Sequence, residues 1–247
     1  MNAFRHLRAM AAVSVLILSG CAAPHGQPRR DSEALAPSEV LEFRTLYADN
    51  CAGCHGRDGR GGAAIGLANP VYLAIADDGA IRERITSGVR NTAMPAFAQR
   101  SGGTLTSKQI EVIVTGIRSW SNGRDTADRV NPPSYTPPSS GDAERGGAAY
   151  TTYCESCHGP DGRGGPRGSS ITNDSFLALV SDQGLRSIII AGRPELGAPD
   201  WRNSAPGRPM SEQEVTDVVA WLGSHRVPTP GRPYSAPTGP QWQRSLP

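Results

Sequence analysis

"CAGCHGRDGRGG" (residues 51–62) is the stretch that decides the fold, because the chain contains it twice. The second copy, "CESCHGPDGRGG" (154–165), begins 103 residues later and agrees with the first at nine of twelve positions. The repetition continues beyond the cysteines, and the further matching segments are 72–88 with 176–192 and 105–117 with 210–222. Self-similarity at a fixed period over most of a chain indicates two copies of one structural unit.

Two domains are therefore expected, and a length of 247 residues suits two domains of roughly 100 residues each. We place half 1 at residues 38–123 and half 2 at residues 141–226. Segment 124–140 contains two Pro-Pro pairs and predicts an extended, semi-rigid linker. Segment 227–247 is another Pro-rich stretch, for which we expect no regular structure.

Each half is predicted to be all-α, because apolar residues recur at helical spacing and strand signals are few. The last helix has the clearest start: Thr106 and Ser211 are N-caps, and Gln109 and Glu214 complete a capping box three residues later. A further helix is expected before each cysteine pair and another after each middle loop. These segments are 37–50, 81–87, 141–153 and 185–191.

The pattern Cys-x-x-Cys-His is the attachment pattern of c-type haem. Two thiols three residues apart on a helical turn can each bond one vinyl group of a porphyrin, and the adjacent histidine then falls beneath the iron. A thioredoxin-like Cys-x-x-Cys would need a βαβ context, which is absent. A zinc site of four cysteines would have to join the two pairs across the Pro-rich linker. Chance is disfavoured by the two copies, which use every cysteine except Cys21.

Each half resembles a class I cytochrome c domain: a CxxCH helix, a Gly-rich loop, a middle helix, a Met-Pro loop and a C-terminal helix. The resemblance covers residues 38–123 and 141–226 and implies two covalently attached haem c groups, each with a proximal histidine. The implied residues are Cys51, Cys54 and His55 for haem 1, and Cys154, Cys157 and His158 for haem 2. Met94, in "AMPAF", stands where the family supplies the distal thioether ligand; a core-filling side chain is the competing interpretation.

The glycines after each proximal histidine allow turns with positive φ and a close approach of the backbone to the porphyrin. We expect a backbone carbonyl from this loop, residues 55–62 or 158–165, to accept the imidazole N–H. Arg60 and Arg163 could pair with haem propionates or be ordinary surface arginines.

The family also crosses its first and last helices where a glycine meets an aromatic side chain. Half 2 has this pair in Gly146 and Trp221, whereas half 1 has Phe43 and Gly116, with large and small exchanged. The exchange keeps the volume at the crossing similar. We therefore predict that Phe43 packs over Gly116 and Trp221 over Gly146.

The two distal loops differ at the position where the family supplies the distal ligand of the iron. "SGVRNTAMPAF" (87–97) and "AGRPELGAPDW" (191–201) share a glycine, a proline and a final aromatic, but Ala198 replaces Met94. Met210 could ligate haem 2 in its place, although it aligns with Leu105 and can staple onto Val215. The iron of haem 2 could also be bound by His225, by water or by a group from elsewhere, or it could be open. Since a thioether raises a haem potential, we expect the two haems to differ in potential.

The N-terminus is typical of an export signal. Arg5 and Arg8 precede a short apolar run, which ends in "LSGC" at Cys21. This ending resembles a bacterial lipoprotein cleavage site and implies a signal peptide at 1–20, a lipidated Cys21 and a tether at 21–37. We therefore expect an exported, periplasmic protein that is lipid-anchored to a membrane. Ala22 after the cysteine favours the outer membrane.

The sequence favours an electron carrier over an enzyme. Without residues 1–20 the chain has 23 basic and 23 acidic residues, so no nucleic-acid partner is expected. We expect redox partner proteins, such as an oxidase, a dehydrogenase or a respiratory complex. A peroxidase-like enzyme or small-ligand sensor using haem 2 is a second hypothesis, and a fixed subunit of a respiratory complex is a third. Glu195 and Asp200 are the carboxylates nearest the haem 2 loop, and we interpret them as solvated loop residues.

Overall fold

The computed structural model describes residues 35–121 and 131–228. The predicted signal peptide (1–20), Cys21, nearly all of the tether, linker residues 124–130 and tail residues 229–247 lie outside the described residues. The chain divides into a short unit, Met1–Glu39, and a long unit, Val40–Pro247. The long unit contains nearly all of both halves, and the predicted domain boundaries stay a prediction.

Within the described residues the architecture is all-α, as the sequence predicted, with two isolated β-bridges and no strand. Each half runs through the same five α-helices in the same order. Half 1 has α1 Phe43–Asn50, α2 Ala52–His55, α3 Pro70–Ile75, α4 Asp78–Ser87 and α5 Ser107–Ser119. Half 2 has α6 Ala143–Tyr153, α7 Glu155–His158, α8 Asp174–Leu179, α9 Asp182–Ala191 and α10 Glu212–Ser224. Short 3-10 turns lie at Pro37–Glu39, Gln99–Ser101, Pro160–Gly162 and Pro194–Leu196.

The predicted capping boxes are confirmed at the start of α5 and α10. Thr106 and Ser211 each accept the backbone N–H three residues on, and Gln109 and Glu214 bond back to the cap. The helices α3 and α8 were not predicted. Each begins at an asparagine N-cap, Asn69 or Asn173, whose side chain accepts two backbone N–H groups. Their six-residue length leaves little room for helical periodicity, and the cap was their main signal.

The predicted helix crossings are also confirmed. A Cβ added to Gly116 would lie 2.1 Å from the ring of Phe43, so only glycine leaves room for the aromatic side chain. In half 2 a Cβ on Gly146 would lie 2.7 Å from Cβ of Trp221 and 2.0 Å from the carbonyl oxygen of Asp217. The first and last helices of each half therefore meet at the predicted pair.

One arginine at the end of each last helix fastens the middle of its half. Arg118 donates to the carbonyls of Leu73 and Ala76 and pairs with Asp78. Arg226 repeats this pattern at the equivalent places. Its partners are Leu177, Val180 and Asp182. The end of α3 and the start of α4 are thus held by the arginine at the end of the last helix of half 1, and the end of α8 and the start of α9 by that of half 2.

The two halves are in contact with each other. Asn69 Nδ2, at the start of α3, donates to the carbonyl of Ala191 at the end of α9, at 3.0 Å. The described part of the linker packs on half 2, where the buried Arg186 donates to the carbonyls of Ser134 and Tyr135. The described linker residues therefore have no regular secondary structure, but Arg186 holds their backbone in place.

Candidate functional site

Each cysteine pair lies on one short helical turn. Cys51 ends α1, and its carbonyl accepts the N–H groups of Cys54 at 3.2 Å and His55 at 3.0 Å. Half 2 repeats these bonds at 3.1 and 3.0 Å. The residues concerned are Cys154, Cys157 and His158. The predicted haem-attachment residues are thus brought together in each half with the same backbone geometry.

Each histidine ring is held by one backbone carbonyl. His55 Nδ1 lies 2.8 Å from the carbonyl oxygen of Ile65, and His158 Nδ1 lies 2.8 Å from that of Ser169. Since a carbonyl only accepts, Nδ1 must carry the proton, and Nε2 is left as the lone-pair atom. In the described part of the chain neither Nε2 makes a hydrogen bond. A backbone carbonyl accepts the N–H as predicted, but the acceptor lies just after each glycine-rich loop and not within the loop from which it was expected.

A tyrosine and a glycine fix each turn from the other side. The hydroxyl of Tyr47 donates to the carbonyl of Gly56 at 3.0 Å, and Tyr150 makes the same bond to Gly159. Gly56 has φ +83°, and a Cβ there would lie 1.7 Å from the carbonyl oxygen of Arg60. The loop therefore folds tightly back on the turn. The tyrosines were missed from sequence, although both stand four residues before the first cysteine of their pair.

The four cysteines are free thiols in the described structure. Burial raises the pKa of Cys51 to about 12 and that of Cys154 to about 12, with a further contribution from the neighbouring cysteine in each case. Cys54 is exposed and Cys157 is partly exposed. Cys51 and Cys154 are partly buried.

These residues fit a covalently attached haem. Each turn offers two unpaired thiols for thioether bonds and an imidazole whose Nε2 is free for iron, and it faces a loop that folds back through glycine. The described residues contain no group of three or more His, Cys, Asp and Glu that could hold a metal ion, so the shared zinc site gains no support. A haem held here supplies a one-electron couple whose potential its ligands and surroundings set.

Burial lowers the pKa of His55, and the nearby cation of Arg193 lowers it further, against the opposing effect of the hydrogen bond to Ile65. The imidazole is therefore kept neutral, which is the form that ligates iron. Arg193 belongs to half 2, so the environment of the first site includes a residue of the second half.

The distal loops follow the same path in both halves. Val89 N–H donates to the carbonyl of Met94 at 3.0 Å, and Arg193 N–H donates to that of Ala198 at 2.9 Å. The glycine before each of these residues has φ near +67° and lies against the proline that follows the distal position. The alignment of Ala198 with Met94 is therefore confirmed by the backbone. That Met94 ligates iron stays a prediction.

Met210 lies where the alignment with Leu105 places it. Its N–H donates to the carbonyl of Trp201 at 2.8 Å, as Leu105 N–H donates to Phe97 at 2.8 Å. Met210 is 3% exposed, in the core that also contains the fully buried Val215. This placement favours the hydrophobic staple over iron ligation.

The other candidate side chains have protein partners. His225 Nδ1 bonds to the carbonyl of Trp221, and Arg60 donates to the carbonyl of Ala68 at 3.0 Å. Arg163 is exposed. Glu195 is an exposed loop residue that pairs with Arg193, and Asp200 is a partly exposed loop residue that pairs with Arg202. Burial alone would raise the pKa of Glu195, but the bond from Arg193, a backbone hydrogen bond and the charges of Arg193 and Arg60 together outweigh burial and hold that pKa below its usual range.

Comparison with known proteins agrees with this geometry. The model of the family described as "Cytochrome C oxidase, cbb3-type, subunit III" matches residues 38–115 and 141–222. The cbb3-type cytochrome c oxidase subunit CcoP of Rubrivivax gelatinosus is 32% identical over 136 residues, which cover 54% of this chain and 39% of that protein. Subunit FixPc of Rhizobium leguminosarum bv. viciae is 35% identical over 77 residues, covering 30% of this chain and 26% of that protein.

A third relative, subunit CcoP of Rhodobacter capsulatus, is 30% identical over 105 residues, or 40% of this chain and 33% of that protein. The chain thus spans less than two fifths of the length of these curated relatives. Among solved structures, a chain of the reducing HAO-like protein complex of Kuenenia stuttgartiensis is 20% identical with a TM-score of 0.44. That match covers 78% of this chain and 100% of the other. No helix in the described residues has the length and apolar character needed to cross a membrane.

Proposed function

The chain belongs to the cbb3-type subunit III family of c-type cytochrome domains, which hold haem c covalently, and from this membership we propose that it is a dihaem electron carrier. Haem 1 would be bonded to Cys51 and Cys54, and haem 2 to Cys154 and Cys157. The chain's own part is to position, bury and tune these groups, and it passes electrons between redox partner proteins.

The observation that carries this proposal is the duplicated CxxCH turn. In both halves the histidine Nδ1 is held at 2.8 Å by a backbone carbonyl. The direction of Nε2 is therefore fixed by the backbone and not by a flexible side chain. A fixed imidazole moves little when the iron changes charge. Electron transfer is favoured when the ligands of the iron rearrange this little. Among the described residues, the two carboxylates predicted to lie nearest the haem 2 loop, Glu195 and Asp200, are each paired with an arginine, so neither supports a haem enzyme.

The membrane anchor and the partners are part of the proposal. The sequence "LSGC" supports lipidation at Cys21 after export, and hence a periplasmic protein tethered to a membrane, with the outer membrane favoured by Ala22. The relatives are named as subunits of cbb3-type cytochrome c oxidases. This similarity supports a respiratory complex, either as the redox partner or as the assembly that contains the chain.

The function is tested by haem content and redox behaviour of the exported protein. We expect two haems per chain that stay bound under denaturing conditions, and reversible one-electron reduction of each. Replacing both Cys154 and Cys157 with alanine should leave one haem, and one haem or none in the unaltered chain would contradict the proposal. The anchor is tested separately, because Cys21→Ser should move the protein from the membrane fraction to the soluble fraction.

A further inference from the structure

Arg193 is a buried cation that half 2 places against the CxxCH region of half 1. Its side chain is 10% exposed and comes from the distal loop of half 2. The guanidinium Nη2 donates to the carbonyl of Gly62 at 2.6 Å, and Nη1 lies 3.5 Å from the carbonyl oxygen of Ala63. These contacts join residues about 130 positions apart in the chain.

Gly62 is packed directly on the haem-attachment turn. A Cβ at Gly62 would lie 2.2 Å from the carbonyl oxygen of Cys54 and 2.6 Å from the carbonyl carbon of His55. One glycine therefore separates the guanidinium of Arg193 from the backbone of the residues that would hold haem 1. Since the cation is nearly excluded from water, its field at this turn is only weakly screened.

The internal repeat shows that this cation is specific to half 2. The counterpart of Arg193 is Val89, since each donates its N–H to the residue at the distal position, Ala198 or Met94. One loop thus carries valine and methionine, and the other carries arginine and alanine. The half 2 loop has no thioether at the distal position, but it supplies a charged contact to half 1.

We propose that Arg193 raises the reduction potential of haem 1, so that half 2 tunes the redox centre of half 1. The inference rests on the proposed dihaem function. Reduction adds negative charge at the haem, and a fixed cation nearby stabilises that state.

Glu195 acts in the opposite sense on the same centre. Its carboxylate accepts a bond from Arg193 Nε at 2.5 Å, but it is 27% exposed, against 10% for Arg193. Water therefore screens the anion more than the cation, and the cation dominates. Removing either charge should shift the potential of haem 1, but in opposite directions.

The test is a redox titration of the haem-loaded, full-length chain and its variants. The wave of haem 1 is identified as the one that shifts in Met94→Ala. In Arg193→Gln we expect the ratio of reduced to oxidised haem 1 at a fixed ambient potential to fall severalfold, with haem 2 little changed. Arg193→Lys keeps the charge and should retain most of the potential. Glu195→Gln should raise the potential of haem 1.

The signs of these shifts separate an electrostatic role from a structural one. A merely structural role predicts that Arg193→Lys and Glu195→Gln disturb haem 1 in the same direction as Arg193→Gln, and that result would overturn the inference. An unchanged haem 1 potential in haem-loaded Arg193→Gln would also overturn it. If Arg193→Gln does not fold, the sign of the shift in Glu195→Gln decides. A wild-type chain without covalent haem would overturn both the proposed function and this inference.

Discussion

Met94 and Ala198 occupy the same place on two loops, and the carbonyl of each accepts the equivalent backbone N–H, from Val89 or Arg193. The side chain at this position is the difference that bears on iron ligation. The proximal sides of the two sites are alike, because each histidine is held by a carbonyl at 2.8 Å and each turn by a tyrosine hydroxyl. Any large difference in ligation between the haems must therefore arise on the distal side. Met210, fixed in the core beside Trp201, is placed as a hydrophobic staple, and its ligation of haem 2 stays an untested alternative.

Exchanging these two side chains should exchange the properties of the haems. We expect Met94→Ala to lower the potential of haem 1 and to let the reduced protein bind CO there, because it removes the thioether from the iron. Ala198→Met should raise the potential of haem 2 and prevent CO binding at that haem. Optical redox titration and CO titration of the reduced protein measure both effects. An unaltered protein that binds no CO at haem 2, and gains CO binding there in Met210→Leu, would contradict this assignment.

At the scale of elements, each half depends on the crossing of its first and last helix. Half 1 places Phe43 over Gly116, and half 2 places Trp221 beside Gly146. The same contact is thus made with the large residue on opposite helices. This arrangement predicts that the pair matters more than either residue alone.

Substitutions at the half 1 crossing should show this dependence directly. Gly116→Trp should destabilise the protein by about 2–4 kcal/mol, because Phe43 already fills the space. Phe43→Gly should cost a similar amount, about 3–4 kcal/mol, through the cavity that it leaves. The double variant restores the half 2 arrangement and should recover more than half of the summed loss, measured as the free energy of unfolding in urea. Additive losses would show that the two residues do not share one contact.

Asp217 makes the half 2 helix pair sensitive to acid. It is 4% exposed and accepts bonds from Arg145, Gln213 and the N–H of Asp142. Burial by itself raises the pKa of Asp217, but these bonds outweigh burial and hold the pKa below the usual 3.8. The stabilisation is therefore present above about pH 3.8 and is lost as the pH falls through the folded-state pKa.

We expect Asp217→Asn to lower the free energy of unfolding at neutral pH by about 1–2 kcal/mol and to flatten its decrease in acid. Glu111→Gln is the matched control on α5, because its pair with Arg82 is exposed on both sides and its loss should change the free energy of unfolding little. Urea unfolding at a series of pH values measures both. An unchanged acid profile in Asp217→Asn would show that another carboxylate carries the pH dependence.

The sequence revealed the elements whose signals are local. The CxxCH spacing and the capping boxes at Thr106 and Ser211 depend on residues that identify themselves by type, whereas the helix crossing was predicted from the resemblance to class I cytochrome c domains. The carbonyl partners of Arg118, Arg226 and Arg193 could not be predicted, because every residue has a backbone carbonyl and the choice depends on the folded path. The helices α3 and α8 were missed because six residues are too few to show a helical period.

At the scale of the whole molecule, the contacts between the halves break the symmetry of the repeat. Asn69 and Asn173 cap equivalent helices in the same way, yet Asn69 is buried against Ala191 and Asn173 is exposed. Arg193 likewise reaches half 1, whereas its counterpart Val89 is uncharged. Two repeated units thus acquire different surroundings, and the proposed pair of haems would acquire different potentials in this way.

The bond from Asn69 to Ala191 gives the last test, because its contribution can be separated from helix capping. Asn69 Oδ1 accepts the N–H groups of Val71 and Tyr72, and Nδ2 donates to Ala191. Asn69→Asp keeps the capping oxygen but places a second oxygen against the Ala191 carbonyl, and should cost about 2–3 kcal/mol. Asn173→Asp makes the same change at the exposed cap and should cost less than about 0.5 kcal/mol.

Urea unfolding followed by circular dichroism distinguishes the two variants. If the interface couples the halves, Asn69→Asp should also broaden or split the unfolding transition, since each half can then unfold at its own urea concentration. Equal and small effects of the two substitutions would show that this bond contributes nothing to the stability of the pair. In that case the packing of α3 against α9 and the bonds from Arg193 to Gly62 and Ala63 would hold the halves together.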